Sequence, residues 1–116
     1  MKHSVAIALT CATALLIAYG TLKPSEPGGT PLFLTDKQMH FLAFALLTLP
    51  YGWVRPKAIW WLVPLAVLYG GAIEMIQPAF ERGAEWLDLL ADSLGALAGV
   101  APGQLRARIR ARSRTI

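Results

Sequence analysis

Seven polar side chains stand in or beside otherwise apolar stretches of this chain: Lys37, His40, Glu74, Gln77, Arg82, Asp88 and Asp92. Their types suit a narrow range of chemistry. Lys37 and Arg82 can hold a phosphate or another anionic oxygen group, Arg82 with two parallel hydrogen bonds. His40 and Glu74 are the candidate catalytic bases, with the two cations available to stabilise charge developing on a phosphoryl or acyl group. His40 with Glu74, Asp88 and Asp92 would also be a ligand set for a hard or borderline metal ion. The chain has no His-x-x-x-His or other paired-ligand spacing, however, so on spacing alone no metal and no cofactor is assigned. The plain alternative is a set of internal ion pairs, Lys37 with Glu74, Arg82 with Asp88 and His40 with Asp92, that lock helices together and do nothing else.

These residues recur at helical intervals. Gly70, Glu74 and Gln77 fall at i, i+4 and i+7 on one stripe, and the pair Gly70 and Gly71 is expected to let a neighbouring helix approach closely beneath Glu74. Pro78 ends that pattern, which leaves Glu74 only about 6 Å from the helix end. Asp88, Asp92, Gly95 and Gly99 form a second stripe, with two carboxylates above a Gly-x-x-x-Gly notch of the kind that lets helices touch. Lys37 and His40 are three apart and are expected to share a face with Phe41 and Phe44. Just before them, "LTDKQMHF" carries a start signal: Thr35 to cap, Gln38 to close the capping box, Leu34 and Met39 for the hydrophobic staple. Arg82, in the short "ERGAE" segment, can fold over the mouth so formed.

The elements that must carry these stripes are membrane-like. Of 116 residues 55% are hydrophobic and only 16% charged, with a mean hydropathy of +0.48. A membrane span needs about 20 mostly apolar residues, and four segments approach that length: 4–22, 37–54, 58–77 and 86–105. The expected fold is all-α, a single membrane domain over residues 1–116 built as a bundle of four transmembrane helices, because lipid forces each segment to satisfy its own backbone hydrogen bonds. No stretch is left for a separate soluble domain. The first segment also has the look of a secretory signal with a weak cleavage site at Ala18-Tyr19-Gly20, but its uncharged run is long enough to span, so it is read as a retained anchor. A lone cysteine, Cys11, cannot close a disulfide within the chain and is read as a packing residue.

Charge sets the orientation. Eight of the eleven Lys and Arg lie at Lys2, at Arg55 and Lys57, and in the tail at Arg106, Arg108, Arg110, Arg112 and Arg114. All seven acids sit at the other ends of the segments. The positive-inside rule then puts both termini in the cytoplasm and the acidic level outside, with Trp53, Trp60 and Trp61 as an inner aromatic belt and Trp86 marking the outer interface. The tail at 106–116 resembles a nucleic-acid patch in composition. Directly after a span, it reads instead as a contact with anionic inner-leaflet lipid, worth about 1 kcal/mol per basic residue, and no nucleic acid is expected.

From about residue 35 to residue 99 the chain resembles the VanZ-like family of small bacterial membrane proteins. The resemblance is carried by "DKQMHFLAF", by "EMIQ", and by Arg82, Asp88, Gly95 and Gly99 at matching intervals. Two positions depart from the family pattern: Asp92 stands where an Asn is usual, which makes this mouth more acidic, and Phe44 where an aromatic hydroxyl is common. The resemblance implies a multi-pass protein of the bacterial cytoplasmic membrane and, since the family is named for an accessory determinant of teicoplanin resistance, a link to the cell envelope. The expected function is a binding or accessory role at the outer face. There Lys37, His40, Glu74, Gln77, Arg82, Asp88 and Asp92 would engage a lipid headgroup or lipid-linked wall precursor, with membrane lipids, and a glycopeptide in resistance, as partners. The alternatives are a membrane-embedded enzyme acting on a lipid-phosphate or acyl substrate and a purely structural polar cluster.

Overall fold

The apolar segments fold as helices, as their composition requires. The computed structural model describes residues 1–22, 36–76 and 86–115. It consists there of α1 (His3–Leu22), α2 (Asp36–Val54), a 3-10 turn (Pro56–Ala58), α3 (Ile59–Ile76) and α4 (Trp86–Thr115), with no strand among the described residues. The architecture is all-α. α1 and the segment Pro56–Ile76 are each long and apolar enough to cross a membrane, with mean hydropathies of 2.0 and 1.7.

α2 and α4 make the most extensive helix pairing, and they run parallel. Lys37 meets Asp88, His40 meets Asp92, Thr48 Oγ1 donates to the Ala96 carbonyl at 2.8 Å, and Arg106 Nη1 donates to the Trp53 carbonyl at 3.1 Å. The register advances together down both helices. Glycine makes so close a pairing possible. A Cβ at Gly95 would collide with the Phe41 carbonyl, one at Gly99 with Thr48 Oγ1 and the Ala45 carbonyl, and one at Gly103 with the Gly52 carbonyl. The expected two-residue notch is therefore three residues long, and all of it faces the backbone of α2.

α3 runs antiparallel to this pair. Near one end Gly70 faces Asp92, and towards the other Ala58 and Leu62 pack on Val100. α1 lies at the edge, antiparallel to α2. Its Ile17 joins Phe44, Leu47, Ala66, Ile73 and Ala96 in the main apolar core. Thr10 Oγ1 donates to the Leu47 carbonyl at 3.2 Å, the Tyr69 hydroxyl donates to the Ala14 carbonyl, and His3 meets Tyr51 edge to face. Only Ala6 and Ile17 of α1 are buried.

Three expectations need correction. α4 does not stop at residue 105 but continues as helix to Thr115, about 45 Å of helix at 1.5 Å per residue. Arginine is a good helix former, and Arg106 is fastened to α2 by its bond to Trp53 and by lying 4.6 Å over the Trp53 ring, so the arginine-rich stretch extends the bundle helix. Gly71 has open space around it and mediates no close approach; of the glycine pair only Gly70 does. Cys11 is exposed, not packed between helices. The capping residue Thr35 and its staple partner Leu34 lie outside the described residues, although α2 begins at Asp36, where the capping signal placed it.

Candidate functional site: a buried polar cluster at one end of the bundle

Because α2 and α4 are parallel and α3 is antiparallel to both, the first turns of α2 and α4 and the last turn of α3 meet at the same end of the bundle. Each brings its polar residues there. His40, Glu74, Asp88 and Asp92 are 6%, 3%, 4% and 1% exposed, which is far inside for charged groups. Lys37 stands above them with its side chain 38% exposed.

The cluster is a chain of contacts from the surface inward. Lys37 Nζ donates to Asp88 Oδ1 at 2.5 Å. The other oxygen of Asp88, Oδ2, lies 3.6 Å from His40 Nε2, and His40 Nδ1 lies 2.7 Å from Asp92 Oδ1. Asp88 thus bridges a half-exposed ammonium and a buried imidazole, and the imidazole spans two carboxylates. Glu74 closes the cluster from α3: one donor atom each of His40, Glu74 and Asp92 lie within 4.8 Å of one another.

The rest of the site is support. A Cβ at Gly70 would stand 2.8 Å from Asp92 Oδ2, so this glycine on α3 leaves the room that the Asp92 carboxylate occupies. Phe44 is buried beneath His40, whereas Phe41 faces outward, 40% exposed; the expected shared face holds for Lys37, His40 and Phe44 only. Thr48, fully buried, extends the same stripe and ties α2 to α4 through the Ala96 carbonyl. Neither Thr48 nor Gly70's service to Asp92 was singled out in the sequence. Thr48 was discoverable at i+4 from Phe44; the Gly70–Asp92 contact needs the packing of two helices.

Of the residues singled out in the sequence, Lys37, His40, Glu74, Asp88 and Asp92 come together. Gln77 and Arg82 lie outside the described residues. Of the ion pairs in the plain alternative, His40–Asp92 is present, and Lys37, given there to Glu74, bonds to Asp88, the carboxylate given to Arg82.

Beside the cluster a groove of about 410 Å³ opens between α1 and α2. Its wall is overwhelmingly apolar, with Leu16 and Ile17 from α1 and Met39, Phe44 and Leu46 from α2, and His40 is in the same wall. The groove therefore meets the polar cluster at His40. The chain matches no protein-family model, no curated protein and no solved structure.

Proposed function

We propose that the chain is a multi-pass protein of the VanZ-like type in the bacterial cytoplasmic membrane, with four spans and both termini cytoplasmic, and that it binds a lipid of the cell envelope at its outer face. Large apolar side chains stand exposed on all four helices, Leu15 and Leu16, Leu42, Leu68, and Leu87 and Leu90 among them, a surface suited to lipid rather than to water. α2 and α4 turn His40, Thr48, Asp88 and Asp92 inward and large apolar side chains such as Leu42, Leu46, Leu90 and Leu94 outward, which lowers their average hydropathy without making them unsuited to a bilayer. Pro50, Pro64 and Pro102 inside three of the helices fit the same setting. The acidic cluster lies at one end, and Arg55, Lys57 and the arginines of α4 towards the other, the asymmetry that positive-inside orientation requires.

The observation that carries the binding reading is the groove. An acyl or isoprenyl chain would lie along Leu16, Ile17 and Phe44, and the attached headgroup would then sit beside His40, under Lys37, whose ammonium is half-exposed and suited to phosphate. A lipid headgroup and a lipid-linked wall precursor share this chemistry. A catalytic reading draws on one observation, the imidazole of His40 held against the Asp92 carboxylate, which is how an enzyme orients a general base.

The test is a set of variants assayed in cells. Lys37→Met and Glu74→Gln are expected to abolish the glycopeptide-susceptibility phenotype at normal membrane abundance and unchanged melting temperature. Variants that are abundant, stable and fully active would leave a cluster that only holds helices together.

A further inference from the structure

We propose that His40, Glu74 and Asp92 form a binding site for one divalent first-row cation of the Mn²⁺ or Zn²⁺ class. The inference stands apart from the lipid reading and rests on four observations.

The first is convergence. One imidazole and two carboxylates, each on a different helix and each nearly fully buried, bring donor atoms within 4.8 Å of one another. A cation that holds nitrogen and oxygen ligands at about 2.0–2.2 Å sets neighbouring ligands about 3 to 3.5 Å apart, so the widest pair has to close by about an ångström. His40 Nδ1 and Asp92 Oδ1 stand at hydrogen-bond distance, 2.7 Å, and would part by about half an ångström to share one ion.

The second is the outer shell. With Nδ1 turned to the ion, His40 Nε2 points to Asp88 Oδ2 at 3.6 Å. A histidine ligand whose second nitrogen faces a carboxylate is the usual way a protein fixes ring orientation and raises ligand basicity. Asp88 is itself anchored by Lys37.

The third is charge. Among the described residues three carboxylates, Glu74, Asp88 and Asp92, gather round one imidazole and one ammonium, a set of oxygen donors whose field attracts a cation.

The fourth is access. His40 lines the groove between α1 and α2, so the site has a route to the exterior. The mixed donor set favours an ion that accepts imidazole over Ca²⁺ or Mg²⁺, which prefer all-oxygen shells.

The full chain, purified in detergent without added lipid and stripped with chelator, is titrated calorimetrically with MnCl2 and ZnCl2, and with MgCl2 and CaCl2 for comparison. One equivalent of Mn²⁺ or Zn²⁺ is expected to bind at least tenfold more tightly than Mg²⁺ or Ca²⁺. Glu74→Gln and Asp92→Asn are expected to weaken it by more than the roughly 10 to 100-fold that loss of an outer-shell partner costs. In the wild type, pulsed electron paramagnetic resonance of bound Mn²⁺ should show coupling to an imidazole nitrogen, and that coupling should survive His3→Ala, which removes the other histidine of the sequence. Should either carboxylate variant fail to fold, the nitrogen coupling decides alone. Absence of saturable binding, unchanged affinity in both folded variants, or loss of the coupling in His3→Ala would overturn the proposal. Because no lipid is present, failure here leaves the groove untouched, and failure of lipid binding leaves this site untouched.

Discussion

Gly99→Leu is expected to leave no folded bundle. A first carbon added at Gly99 already meets the Thr48 hydroxyl and the Ala45 carbonyl. The carbonyl belongs to the α2 backbone and cannot rotate away as a side chain can. Overpacking an interior commonly costs about 1–3 kcal/mol, and a branched side chain against helix backbone belongs above that range. It would part α2 from α4 and undo the Thr48 bond to Ala96 with it. Gly71→Ala is the matched control: nothing lies within 4 Å of its added carbon, and alanine is better than glycine inside a helix by up to about 1 kcal/mol. Thermal unfolding in detergent, with membrane abundance measured alongside, checks the pair. A Gly99→Leu protein that melts as the wild type does would mean that α2 and α4 are not packed as described.

The next largest effect is expected at Asp92. Asp92→Ala leaves His40 facing an empty space where Asp92 Oδ1 stood 2.7 Å away, within a region almost sealed from solvent. Breaking a buried pair by removing one member costs about 3–5 kcal/mol. Replacing both members with apolar residues of similar volume is often neutral or stabilising by the same reasoning, so a His40→Leu, Asp92→Leu double variant should recover most of the lost stability. That recovery separates scaffold from function. On the binding account the double variant folds and is abundant but has no envelope phenotype, since the group at the head of the groove is gone. A double variant as unstable as Asp92→Ala would show that the two residues are not coupled.

Much of this arrangement is legible in the sequence. The stripe of Asp88, Asp92, Gly95 and Gly99 announces a helix with carboxylates above a packing notch, and Gly70 with Glu74 announces its neighbour. On the membrane reading proposed above, both faces turn inward because lipid is a poor solvent for charge and glycine offers lipid no side chain to pack against. What spacing along one chain cannot provide is which helix fills the notch. That α2 is the partner, in parallel, follows from three glycines fitting the carbonyls of Phe41, Ala45 and Gly52, a match that exists only once two helices are laid together. That His40, Glu74 and Asp92 share one level of the bundle follows from their stripes, but how near their donor atoms come does not. Spacing rules for metal ligands find pairs on one helix, and these three sit on three. The continuation of α4 past residue 105 was obscured by its arginines, which read as a basic tail touching lipid; the Trp53 ring that receives Arg106 belongs to another helix. The groove beside His40 depends on where α1 lies against α2, and no residue pattern in α1, apolar on every side, encodes that.

Photo-crosslinking with a lipid that carries a diazirine in its acyl chain tests the binding account most directly. The protein is reconstituted in vesicles containing the probe, irradiated, and its adducts are mapped by mass spectrometry. Bulk lipid labels side chains in proportion to their exposure, so Leu68 and Trp60, 70% and 85% exposed, set the background. The account predicts adducts at Ile17 and Phe44 that exceed that background although both residues are buried, and predicts their loss in Ala43→Trp, which fills the groove, with labelling of Leu68 unchanged. Adducts that simply follow exposure, absent from Ile17 and Phe44 and indifferent to Ala43→Trp, would contradict it.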